Sequence, residues 1–150
     1  MPQLTNQESR GFTHAFKITA ADLNTTGYLT SSQKIIGYIP AGGIVTNCAV
    51  VVNTAAAGAT DITFSAGTTS GSPFEFIANA GAAIDLDALT KANFNTGTVL
   101  INTAAGYSIN NTASAVPIYV KFGGTIANLT AGEWYVTYTL LDPALIASNA

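Results

Sequence analysis

The chain has 150 residues, enough for one domain with a real core. Hydrophobic residues make up 48% but charged residues only 9%, against about 25% in an average soluble domain. The formal charge is −3 and the five basic residues, Arg10, Lys17, Lys34, Lys91 and Lys121, form no patch, so an electrostatic nucleic-acid binder is excluded.

The charge deficit is uneven: 35–60 and 92–120 carry no charged side chain. So little charge leaves two ways to stay in solution. One is to bury neutral surface in an oligomer or larger assembly; the other is an uncharged skin of Thr, Ser and Asn, which are plentiful here. The single cysteine, Cys48, cannot form an internal disulfide. The polar opening MPQLTNQESRG has no apolar core, so no secretory signal is expected. No uninterrupted apolar run approaches the ~18 residues of a membrane span, so no membrane partner is expected.

In chain order, 1–14 is polar and reads as an extended N-terminal arm. A strand over 15–20 places Phe16, Ile18 and Ala20 on one face, followed by a polar turn region around Gly27. Gln33 to Ile39 reads as a strand apolar on both sides, broken by the Pro40–Gly43 turn. Gly43 to Asn53 is the densest β-branched run and the expected central strand. Its alternation predicts a core face of Ile44, Thr46, Cys48, Val50 and Val52, and a covered, mixed face of Val45, Asn47, Ala49, Val51 and Asn53. The 54–60 segment, TAAAGAT, reads as a loop. Asp61 to Ser65 alternates with Ile62 and Phe64 inward. Two short strands are expected around Phe74/Phe76 and Ile84/Leu86, helical turns over 87–94, and a strand over 98–102. After a polar excursion over 103–115, a strand turns Ile118, Val120 and Phe122 inward and Tyr119 and Lys121 outward. The last strand sets Trp134, Val136, Tyr138 and Leu140 against Tyr135, Thr137, Thr139 and Leu141. Asp142-Pro143 ends the domain, leaving the tail 143–150. Eight or nine short strands with regular turn signals predict an all-β fold, an antiparallel β-sandwich or barrel spanning 15–142.

Catalytic chemistry finds little support. His14, the only histidine, sits at the arm–strand junction without an evident nucleophile or orienting group. Cys48 falls on an apolar strand face, where a thiol behaves as a small inert hydrophobe. Asp85 and Asp87 share one side of a strand. With Glu75 or Asp61 they could offer hard oxygen ligands to calcium, but no calcium-loop spacing is present and no metal is expected. The glycines form no phosphate cradle, and no cofactor is expected. Three glycosylation triplets, at Asn24, Asn110 and Asn128, are the chance expectation for a chain rich in Thr and Asn. Tyr119 and Tyr135, on outward strand faces, are better contact residues than catalysts.

Three segments carry a resemblance: FKITAADL, then IIGYIPAGGIVTNCAVVVNTAAAGATDITFSAGTT, then VPIYVKFGGTIANLTAGEWYVTYTLLDP. They contain a step into a Val-rich strand (Ile39 to Val45), an ITFSAG strand (Ile62 to Gly67) and a late LTAGE turn (Leu129 to Glu133). Together they resemble the small all-β capsid decoration (cement) and head-fibre structural proteins of tailed bacteriophages, over roughly Phe16 to Asp142. The resemblance implies a jelly-roll-like sandwich, a homotrimer and attachment to the major capsid protein on the outer shell of the virion. It implies no active residues and no cofactor. The arm and tail then become the parts that reach neighbouring chains, and the contact candidates are Arg10, His14, Tyr119 and Tyr135. The alternative is a tail-fibre or baseplate module that binds host glycans through Tyr107, Tyr119, Asp85 and Asp87. A third reading, a glycan-cleaving enzyme, needs two acids across a pocket or His14 beside an acid.

Overall fold

The computed structural model describes residues 13–26, 28, 33–77, 84–86, 94–95 and 108–142. The described residues form an all-β protein with two antiparallel sheets. Strands β1 (His14–Thr19), β9 (Ala131–Leu141) and β3 (Ile44–Ala57) run side by side in the first sheet. The two-residue ladders β6 (Phe94–Asn95) and β7 (Ser108–Ile109) are added along the far edge of β3. The second sheet has the order β2 (Gln33–Ile39), β8 (Val116–Gly123), β4 (Thr63–Gly67), β5 (Ile84–Asp85). The chain changes sheet between β1 and β2, β2 and β3, β3 and β4, β5 and β6, β7 and β8, and β8 and β9. The last two strands therefore lie in the middle, β8 between β2 and β4, β9 between β1 and β3.

One buried cluster takes side chains from both sheets. Ile118, Val120 and Phe122 of β8 and Trp134, Val136 and Tyr138 of β9 point into it, as the two-residue alternation predicts. Phe122 is its hub. Its ring meets Phe64 at 5.0 Å and Tyr28 at 6.3 Å between centroids, both edge-on, and reaches across to Trp134 at 5.2 Å. The Tyr28 hydroxyl accepts a hydrogen bond from the Phe122 amide (2.6 Å), and burial raises the phenol's pKa far above its ordinary range. The Trp134 indole lies over its own strand: a Cβ on Gly132 would stand 2.3 Å from its Cη2. The glycine of the LTAGE turn is thus the space the indole occupies. Across the gap the Tyr138 hydroxyl abuts Gly37 of β2, where a Cβ would meet it at 2.3 Å. Trp134 Nε1 is buried without a hydrogen-bond partner, a polar cost the fold carries at its centre.

The core face of β3 departs from strict alternation. Cys48, Val50 and Val52 point inward as expected, but the next inward residue above them is Val45, not Thr46 or Ile44. A bulge between Val45 and Asn47 inserts one residue against β9 and reverses the faces beyond it. The strand also runs on to Ala57, through the 54–57 segment expected to be loop, because Thr54 and Ala57 find partners in Glu133 and Ala131 after two further bulges. The short strand expected around Phe74/Phe76 is not formed: Phe76 is buried, and the neighbouring Ile77 makes only an isolated bridge to Ala66. A four-residue helix, α1 (Ala20–Leu23), follows β1 where a turn was expected. Thr19 and Asp22 form its reciprocal capping box. Of the arm expected over 1–14, residues 1–12 lie outside the described residues and His14 opens β1; the tail, the helical turns over 87–93 and the strand over 98–102 also lie outside them, and Phe94 belongs to β6.

Val50 is fully buried on the inner face of β3. Val50→Asp would bury an unpaired carboxylate, a loss of about 5 kcal/mol or more and enough to unfold a marginal domain. Circular dichroism of the purified variant should show loss of the β signal and of any cooperative thermal transition.

Candidate functional site

The chemistry-bearing side chains are mostly spent on local ties. Asp22 Oδ2 accepts from the Thr19 amide and hydroxyl, both at 2.8 Å. Asp61 Oδ1 accepts from the Thr125 amide (2.9 Å) and hydroxyl (2.6 Å), joining the β3–β4 connection to the β8–β9 connection. Glu75 closes the turn after β4: its carboxylate accepts from the Thr68 amide at 2.9 Å and from the Thr69 hydroxyl. That turn folds back over the second sheet. Gln33 Nε2 donates to Ser70 Oγ (3.0 Å), Gln33 Oε1 accepts from the Gly71 amide (2.8 Å), and Lys121 Nζ donates to the Gly71 carbonyl (2.7 Å).

On the first sheet's outer face Glu133 collects three partners. Lys17 Nζ lies 2.7 Å from one carboxylate oxygen; Asn53 Nδ2 (2.6 Å) and Tyr135 Oη (3.1 Å) donate to the other. The hydrogen bond to Lys17 holds the Glu133 carboxyl below its ordinary range and in turn raises Lys17. The hydrogen bonds from Thr125 and Thr19 lower Asp61 and Asp22 in the same way.

The acids weighed as calcium ligands are spent elsewhere or not in view: Asp85 is exposed on β5 beside Thr63, Asp87 lies outside the described residues, Glu75 is turned to its own turn and Asp61 to Thr125 of the β8–β9 connection. Among the described residues no three His, Cys, Asp or Glu side chains converge as metal ligands. His14 is exposed. Its ring stacks on Tyr138 at 4.8 Å and 3° between planes, and its Nδ1 lies 2.8 Å from Thr13 Oγ1. Cys48 is fully buried, and burial pushes its thiol up to about 12, which leaves it protonated and inert. No helix among the described residues is long and apolar enough to cross a membrane.

Of the four expected contact residues, Arg10 lies outside the described residues, and the other three are not brought together. His14 sits at the start of β1. Tyr135 is half-buried on the outer face of the first sheet, across β9 from Lys17 and Val51. Tyr119 is half-buried on the opposite outer face, beside Ile35 of β2 and Gly67 of β4. Tyr119 does line an open cleft of about 430 Å³ with Asp22, Thr25, Tyr28, Gln33, Lys34 and Ile35. Asp22, Thr25 and Gln33 are committed to the bonds of α1 and the 70–71 turn. Lys34 Nζ stands 5.2 Å from the Phe16 ring centroid.

Among the described residues the most heavily bonded polar side chain is Asn110, the first residue of a glycosylation triplet. Asn110 Nδ2 donates to the carbonyls of Ile39 (2.8 Å), Pro40 (3.1 Å) and Ser114 (2.8 Å). Its Oδ1 accepts from the Thr112 amide (3.0 Å) and hydroxyl (2.7 Å). Its backbone exchanges two further bonds with Gly42 and Gly43. Asn110 therefore clasps the β2–β3 turn to the loop before β8. The Asn-x-Thr spacing carried the signal, since an Asn oxygen reaching the amide two residues on is an Asx turn. Asn24 is likewise engaged, donating to the Leu129 carbonyl at 2.9 Å.

No protein-family model matches the chain, and neither the curated proteins nor the solved structures contain a match to it.

Asn110→Asp would turn a carboxylate toward three carbonyls and remove their donor. The expected loss is about 2–4 kcal/mol in urea-induced unfolding. The carboxyls of Asp22, Asp61 and Glu133 are all lowered in the folded state. Their contribution is fully present above the unfolded values and is lost as pH falls through the folded ones. Thermal midpoints should stay flat from neutrality to about pH 5 and fall below about pH 4, and Glu133→Gln should make that fall shallower.

Proposed function

We propose that the chain is a non-catalytic virion structural protein, a decoration or cement protein that binds the outer surface of a phage head and stabilises it through subunit contacts. The observation that carries this reading is the character of the two outer sheet faces. The first presents Ala15, Thr137, Asn47 and Thr139 around the Glu133 knot; the second presents Ile35, Tyr38, Pro117 and Tyr119. Among the described residues the only salt bridge is Lys17–Glu133. Broad faces with so little charge suit burial against other subunits better than permanent exposure to water.

The strand order supports the finer fold reading. With β1-β9-β3-β6 in one sheet and β2-β8-β4-β5 in the other, the last two strands fill the middle of both sheets. That order supports reading the domain as a jelly-roll sandwich, an architecture that serves in viral capsid and lectin domains. In this reading the chain is made in the host cytoplasm, self-associates as a trimer, seats on the major capsid protein and ends on the capsid surface. It needs neither cofactor nor nucleic acid.

A second reading, a tail-fibre or baseplate module that binds host glycans, draws on the cleft beside Tyr119. An aromatic face, an aliphatic side chain and an ammonium around about 430 Å³ offer a shallow sugar subsite.

The test is addition of the purified chain to heads assembled from the cognate capsid protein without it. Saturable binding, and a higher temperature or osmotic stress for head rupture, are expected. Removing 1–12 should spare folding and weaken attachment. Absence of binding, together with specific glycan-array signals lost in Tyr119→Ala, would replace the decoration reading with the glycan one.

A further inference from the structure

Ser65 is 1% exposed, yet its hydroxyl has no hydrogen-bond partner. Buried hydroxyls ordinarily have one, because an unmet donor has lost its water without replacement. Phe64 and Ala66 of β4 belong to the core cluster, so Ser65 between them points to the outer face of the second sheet. The 68–75 turn folds back over that face, held by Gln33 through Ser70 and Gly71 and by Lys121 through Gly71. Beside Phe74 of this turn lies a cavity of about 190 Å³, lined by Thr63, Ser65, Phe74, Lys121 and Gly123.

The register assembles the cavity. Ser65 is paired directly with Lys121, and Thr63 with Gly123, so the two pairs share the outer face on successive outward rungs. A Cβ on Gly123 would stand 2.5 Å from Thr63 Oγ1, so bare backbone forms that end of the floor. Donors dominate the lining. Lys121 Nζ donates to the Gly71 carbonyl at 2.7 Å, and an ammonium has further N–H groups to give. Among the described residues the only salt bridge is Lys17–Glu133, so the Lys121 charge is paired with no carboxylate. Two acids belong to the same face. Glu75 is turned to the Thr68 amide and the Thr69 hydroxyl, and Asp85, opposite Thr63 on β5, is exposed. Neither lines the cavity.

We propose that this cavity is a binding site for a carboxylate carried on a short apolar stem. A donor-rich lining around one ammonium is the complement of an acceptor-only anion. A carboxylate there takes the Ser65 hydroxyl and a Lys121 N–H together, and its stem lies against the Phe74 ring. The strand holds Ser65 and the Gly71 bond holds Lys121, so little order is lost on binding. Two sources offer this chemistry: a free short-chain acid, or a glutamate side chain reaching in from another chain. The inference goes beyond the decoration reading and does not depend on it.

The test is NMR titration of the full chain with butyrate at fixed ionic strength, following the amides of 63–65 and 121–123, beside butanol and butylammonium. Butyrate should saturate, with its shifts centred on those amides, and the other two should bind at least about tenfold more weakly. Ser65→Ala and Lys121→Met should each weaken butyrate about tenfold, whereas Lys34→Met, which removes a cation outside the cavity, leaves it unchanged. Circular dichroism checks each fold. Ser65→Ala removes an unmet hydroxyl, so its ligand-free thermal midpoint should equal or exceed that of the wild type. N-acetylglutamate α-amide carries the same stem on a peptide unit. Binding as tight as that of butyrate assigns the site to an acidic side chain of another chain; binding of butyrate alone assigns it to a free acid. No saturable response to butyrate overturns the proposal and leaves ordered water as the partner of Ser65. Equal binding of butylammonium, or unchanged butyrate binding in a folded Ser65→Ala, overturns it as well.

Discussion

The contact between Phe122 and Trp134 holds the two sheets to each other. Phe122 sits on β8 and Trp134 on β9, the strands in the middle of their sheets, so their ring contact at 5.2 Å ties the two centres together. Around it Phe64 and Tyr28 pack edge-on against Phe122, and Tyr138 presses on Gly37. Edge-on and tilted rings add attraction beyond the area they bury. The unpartnered Trp134 nitrogen shows that shape took precedence over polar satisfaction here. The same contact explains Gly132: the indole needs the volume a side chain would fill.

Charge is scarce, and where it occurs it fastens loops. Asp22 caps a one-turn helix, Asp61 joins two connections, Glu75 closes the turn after β4, and Lys121 holds that turn down. Each tie is made to a backbone group or hydroxyl within hydrogen-bond range, a use that works at any ionic strength better than exposed ion pairs do. Beside Lys17, Glu133 and Lys121, the outer faces carry Thr, Asn, Tyr and aliphatic residues, the composition on which the assembly reading draws.

Much of the fold was legible because the strands of the described residues are amphipathic and long enough to show it. The inward sets of β8 and β9 follow from alternation alone, as does the Pro40–Gly43 break after β2. The face of β3 above Cys48 was not legible, because a bulge is an insertion relative to a partner strand and the partner is some ninety residues away. The same holds for the Ser65 cavity. Ser65 and Lys121 look like ordinary strand residues until the register sets them side by side. Asn110 was legible in part: its Asx turn is local, but its bonds to Ile39 and Pro40 span seventy residues. Tyr119 and Tyr135 were correctly placed outward, yet only the sheet order shows that they occupy opposite sides of the molecule.

The position of β8 and β9 has a consequence for how the protein comes into being. During synthesis β1 to β4 emerge first, and each sheet then waits with a strand-wide slot between its future neighbours. β8 and β9 follow β4 by some fifty residues or more, which delays the reward for long-range pairing. Until then the nascent chain presents two unfilled grooves with exposed hydrogen-bonding edges, open to an intruding strand from another molecule. The arrival of β8 and β9 is then what closes the chain on itself.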